Sequence, residues 1–176
     1  MTKDRRAAAD RVIAFLKDIG IALRECPGAE GFLKGITFEA GVMIYDPDQT
    51  TSSDLLHEAG HVAVIPARYR HLVGGDLDET FAIMGRDLDQ LEIDSPEMRA
   101  ILQSGEAEAT AWSYAAGKAI GLKDRDIIAD SDFSDQGASV RTMLSFGAHF
   151  GVHGLVHGGM CANKREYPKL TRWLQH

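Results

Sequence analysis

Residues 57–61 read His57-Glu58-Ala59-Gly60-His61, two imidazoles bracketing a carboxylate in the H-E-x-x-H order. On a helix, positions four apart lie on one face with their Cβ atoms about 6 Å apart. Two imidazoles so placed can converge on one tetrahedral metal, each through one nitrogen at about 2.0–2.1 Å. Glu58 follows the first histidine directly. It points partly away from the ligand direction, but its longer side chain reaches a water beside the metal, which suits a general base better than a ligand. Zinc is the expected ion and peptide-bond hydrolysis the expected reaction.

The neighbours support a buried helix: Leu55, Leu56, Ala59, Val62, Ala63 and Val64 are all apolar or small. Two histidines and an acid on such a helix need partners, because unpaired burial of polar groups is costly. The variant with a third histidine downstream is excluded, since Val64 stands where it needs glycine and Ala67 where it needs histidine. A third ligand must come from another helix, and 105–112, containing Glu106 and Glu108, is the best source. Two residues apart on a helix, these point about 200° from each other. Ala109, Thr110, Ser113 and Gly117 on the Glu106 side are small and permit close helix approach; Ala111, Trp112, Ala115 and Ala119 on the Glu108 side are bulkier. Glu106 is therefore the expected third ligand, with Glu108 and a later histidine cluster as alternatives.

That cluster is His149, His153 and His157, spaced by four, with Cys161 at the same interval. A continuous helix would carry them as a slowly rotating stripe able to bind a second metal. The surrounding Gly147, Gly151, Gly154, Gly158 and Gly159 point instead to close backbone packing. His149, His153, His157, Tyr114 and Tyr167 are the candidates for the donor that stabilises an oxyanion.

The elements that must position these residues follow from periodicity. Ala9, Val12, Ile13, Leu16 and Ile19 mark a first amphipathic helix ending at Gly20. Ile36-Thr37-Phe38 and Val42-Met43-Ile44-Tyr45 read as a hairpin around Glu39-Ala40-Gly41, closed off by Asp46-Pro47-Asp48. Thr51, Ser52 or Ser53 caps the H-E-x-x-H helix, which runs to about Ile65 and stops at Pro66. Residues 67–94, with Gly74-Gly75, Asp76, Asp78, Asp87 and Asp89, are expected to be a loop-rich connection with at most short elements. They lack the order of a calcium-binding loop. Ser95-Pro96-Glu97 starts a helix that runs to about Ile120, interrupted near Ser104-Gly105 and stopped by Gly121. A last helical region covers 136–157. The fold class is α+β: one domain over 1–176, mostly helical, with a small N-terminal sheet packed on the H-E-x-x-H helix.

The strand Gly41-Val42-Met43-Ile44-Tyr45-Asp46-Pro47, the helix Leu55-Leu56-His57-Glu58-Ala59-Gly60-His61 and the later Glu106-Ala107-Glu108-Ala109 together resemble the ImmA/IrrE group of zincin-like metallopeptidases, over roughly residues 36–120. The resemblance implies a compact zincin-type fold, a zinc ion whose third ligand is the first glutamate, Glu106, and a protein substrate such as a repressor. By the same analogy the hairpin edge holds an extended substrate by strand addition. No helix-turn-helix region accompanies it. The rival readings are a zincin-fold module that binds a partner without cutting it, against which the intact Glu58 speaks, and a closed structural zinc site.

The 176 residues carry a formal net charge of −7, a poor match to polyanions, so no direct nucleic-acid partner is expected. Cys26 and Cys161 are expected to be free thiols in a reducing compartment. With no signal-like N-terminus and no membrane-length apolar run, the expected location is the cytoplasm.

Overall fold

The structure, a computed structural model, describes residues 3–31, 35–74 and 77–176 of the chain. Helix α1 (Lys3–Asp18) buries Ala8, Ala9, Val12 and Leu16. It ends at Gly20, whose φ of +92° lets Ile21 N–H reach back to Leu16 O at 2.9 Å. Three short strands follow: β1 (Leu23–Glu25), β2 (Ile36–Glu39) and β3 (Val42–Tyr45). The sheet order is β1-β3-β2, with β3 parallel to β1 and antiparallel to β2. Ala40 and Gly41, at φ +48° and +80°, form the two-residue turn between β2 and β3. The hairpin is thus as expected, whereas β1 had no periodic signal in its three residues.

Helix α2 (Ser52–Val64) carries the H-E-x-x-H segment through the middle of the core. Thr51 caps it in a reciprocal box with Asp54, and Pro66 follows its end. Residues 67–94 correct the expectation of a loop. A 3₁₀ turn (Ala67–Leu72) leads into α3 (Leu77–Asp87), an amphipathic helix that buries Thr80 and Met84; Gly75 and Asp76 lie outside the described residues. Helices α4 (Pro96–Leu102) and α5 (Glu106–Ala119) are separated at Ser104-Gly105. Ser95 caps α4, and Gly121, at φ +69°, closes α5.

One turn of helix, α6 (Asp124–Ile127), precedes α7 (Asp132–Asp135), a turn wound left-handed through Phe133 and Ser134. The expected last helical region is two helices, α8 (Gly137–Ser145) and α9 (Phe150–His157), broken at Gly147, whose φ is +62°. The C-terminal segment lies back across the core, with Gln175 N–H on Ala63 O and the Trp112 indole N–H on Trp173 O. The architecture is α+β, chiefly helical. Among the described residues no helix is long and apolar enough to cross a membrane.

Candidate metal centre

Helices α2 and α5 touch through their smallest residues. A Cβ on Gly60 would sit 2.5 Å from Ala109 O and 2.8 Å from Ser113 Oγ, so only glycine permits this approach. Ser113 Oγ lies 2.8 Å from Leu56 O and 2.7 Å from Ala109 O, a hydroxyl joining the two helix backbones. The glycine inside the H-E-x-x-H segment thus sets the distance between the histidines and the carboxylate from α5.

Glu106, the first residue of α5, brings its carboxylate to the two histidines. His61 Nε2 lies 3.1 Å from Glu106 Oε2, His57 Nε2 lies 3.7 Å from Glu106 Oε1, and the two Nε2 atoms are 3.3 Å apart. Donors on a tetrahedron with bonds of about 2.0–2.1 Å are separated by roughly 3.4 Å. The two histidine nitrogens, 3.3 Å apart, fit that edge; Glu106 meets His61 through Oε2 and His57 through Oε1, and with one atom from each residue the three can together hold a metal ion. The side chain of His61 is 9% exposed and its Nδ1 is buried with no hydrogen-bond partner among the described residues, so the polar contacts of this ring with them are made on the Nε2 side.

Burial pulls the His57 imidazole below its ordinary pKa, with the nearby Glu106 charge opposing in part. Burial also pushes the Glu106 carboxyl up, but the His61 hydrogen bond and the two imidazole charges outweigh it and leave the group below its usual range. Both directions favour the deprotonated forms that bind metals. Glu58 is buried, and burial raises its carboxyl above the ordinary value.

Glu108 has a different place. It is the third residue of α5, and its carboxylate accepts from its own N–H and from the N–H of Gly105, the residue that caps the helix. Its side chain, carboxylate Oε1 foremost, fills the space that a Cβ on Gly154 of α9 would need. A Cβ on Gly151 would likewise run into Ala107 O. The glycines of α9 thus serve close packing on the start of α5.

The histidines of that segment do not form a cluster. His149 precedes α9 as its cap, its Nδ1 accepting from Gly151 N–H at 3.2 Å. Burial lowers its pKa while the Glu106 charge acts the other way, so it sits within electrostatic reach of the metal group. His153 and His157 are exposed, His157 lying 4.0 Å from Asp94, and Cys161 is a buried free thiol. Tyr114 and Tyr167 use their hydroxyls elsewhere, donating to Asp124 at 3.2 Å and to Ala111 O at 2.8 Å. Burial pushes Tyr114 up to about 12, with Asp124 adding to it.

No family model, curated protein or solved structure matches this chain.

One feature escaped the sequence entirely. His57 and Glu106 form part of the wall of an open cavity of about 360 Å³, continued by residues of α2, α6 and α7. Phe133, at φ +55°, sets its ring edge-on to His57 with centroids 6.2 Å apart. Phe133, Ser134 and Asp135 all have positive φ, a conformation costing about 1–3 kcal/mol per non-glycine residue. No composition or periodicity signals such a run.

Proposed function

We propose that this chain is a zinc-dependent metallopeptidase of the zincin kind, with His57, His61 and Glu106 holding the ion and Glu58 as the base. The observation that carries the reading is the convergence of His57, His61 and Glu106, with one donor atom of each within 4.8 Å of the others, and a buried carboxylate on the residue after the first histidine. Two imidazoles and one carboxylate are a donor set suited to zinc. Among the described residues three donors converge, the number that leaves a fourth position for water and substrate. When bound, zinc supplies the Lewis acidity that polarises a peptide carbonyl and acidifies a water.

The chain's own residues do the rest. Glu58 takes a proton from the attacking water, whose oxygen adds to the carbonyl carbon. The carbon–nitrogen bond then breaks as Glu58 returns the proton to the leaving amine. The raised pKa of Glu58 brings its base strength closer to neutral pH, where such a transfer is most efficient. His149, half-buried and capping α9, is the proposed oxyanion donor: in the neutral ring its Nδ1 accepts from Gly151 N–H, which puts its proton on Nε2. The substrate is a protein or peptide, and a repressor is the kind suggested by the resemblance to the ImmA/IrrE group. β2, at the sheet edge, is the strand suited to hold it in extended form.

The test is Glu58→Gln. The variant should keep its zinc and its fold, and cleavage of a protein substrate, found by screening proteins encoded nearby, should fall by roughly 10²–10⁴-fold. Cleavage at the wild-type rate would remove Glu58 from the mechanism.

A further inference from the structure

The cavity beside the metal group has a composition of its own. Ile127, Ile128 and Phe133 supply an apolar wall, and Asp54, Asp132 and, at the metal end, Glu106 supply carboxylates; among the described residues no lysine or arginine lines it. Each aspartate uses one oxygen internally. Asp54 Oδ2 accepts from Thr51 N–H at 3.0 Å and Thr51 Oγ at 2.7 Å, and Asp132 Oδ2 from Ser53 Oγ at 2.7 Å and Ala129 N–H at 2.7 Å. Among the described residues no hydrogen bond is made to Oδ1 of either. These internal bonds fix both carboxylates while leaving each an acceptor.

We propose that this cavity is the subsite for the side chain of a lysine or arginine next to the cleaved bond. The proposal rests on the peptidase reading for its place in the reaction, but on the cavity alone for its binding preference. About 360 Å³ lies within the range of a ligand pocket. The aliphatic stem of a basic residue packs on Ile127, Ile128 and Phe133, and its head reaches the aspartates. A guanidinium has the planar fork that pairs with carboxylate oxygens. With a divalent ion in place, Glu58 and Glu106 balance its two charges, which leaves Asp54 and Asp132 as the uncompensated pair. An acidic side chain would meet like charge there. Ser53 joins α2 to the α7 turn through Asp132, so the residues that hold His57 also hold the subsite.

The binding preference can be read without a substrate. The zinc-loaded full chain is titrated with n-butylguanidinium and with its uncharged counterpart N-butylurea, following the resonances of Ile127, Ile128 and Phe133 by NMR. The guanidinium should bind at least about tenfold more tightly, roughly 1.4 kcal/mol. Asp132→Asn retains an acceptor for Ser53 and Ala129 and should remove most of that preference. Equal binding of the two compounds by the wild type, or shifts confined to residues elsewhere, would overturn the proposal without any variant. Peptide-library cleavage is the second arm. Lysine or arginine should be enriched at one position flanking the cut, and enrichment of acidic or aliphatic residues there contradicts the subsite. Cation preference with no cleavage of any peptide would count against the peptidase reading alone.

Discussion

Two segments of this chain carry histidines four residues apart, and only one gathers them into a site. On α2, His57 and His61 stand on a buried helix whose Gly60 lets α5 approach until Glu106 reaches both rings. Around α9, His149 lies before the helix, and His153 and His157 are exposed. Gly151 and Gly154 are just as tightly packed against α5 as Gly60 is, but what they receive is the Ala107 carbonyl and the capping Glu108. Spacing alone therefore does not make a metal group. It also needs a neighbouring helix that delivers a third donor to the face the histidines share.

The largest effect should come from removing a histidine on either side of this contrast. His61→Ala should weaken zinc binding by more than about 100-fold, beyond what changes outside the ligand set usually cost, whereas His153→Ala should leave it unchanged. Competition with a chromophoric chelator measures both. Comparable losses would mean that the α9 segment contributes to the site after all.

Gly60→Ala comes next. The new Cβ, 2.5 Å from Ala109 O, has only backbone and Ser113 to push against, so α5 must move and carry Glu106 with it. Chemical denaturation should show a loss of about 1–3 kcal/mol, and zinc affinity should fall about tenfold although no ligand has changed. Unchanged affinity would show that the helix contact does not set the metal geometry.

The two glutamates of α5 differ in the same way at smaller scale. Glu106→Gln should lose zinc affinity. Glu108→Gln should keep it within about threefold and cost no more than about 1 kcal/mol of stability, the scale of a capping interaction. The reverse pattern would exchange their roles.

The smallest effect is in pH. Histidines bind metal when neutral, and His57 is shifted to a lower pKa, chiefly by burial. Protons therefore compete for it only at more acidic pH. In the metal-free chain its NMR titration should have a midpoint below about 6.5, the ordinary imidazole value. A midpoint above it would mean that the Glu106 charge outweighs burial.

Much of this was legible in the sequence because it rests on local signals. The cap at Thr51, the stops at Gly20 and Gly121 and the Ala40-Gly41 turn are short-range chemistry, and the fold class followed from them. Helix α3 was obscured because its acidic surface suggested a loop, although Leu77, Phe81 and Met84 keep helical spacing. The break between α8 and α9 turns on Gly147, one of several glycines that sequence could not rank. The stripe of small residues through Ala109 and Ser113 pointed to the face of α5 that meets α2, but Gly117 on the same stripe packs against Ile127 instead. The cavity was not legible at all, because it depends on three consecutive residues in a conformation that none of them favours.

If His57, His61 and Glu106 hold one zinc ion, elemental analysis of the purified chain after zinc loading and desalting, run beside His61→Ala, should find close to one zinc per wild-type chain and little in the variant. A wild-type chain that retains no transition metal, or a variant that retains as much as the wild type, would rule out this ligand set.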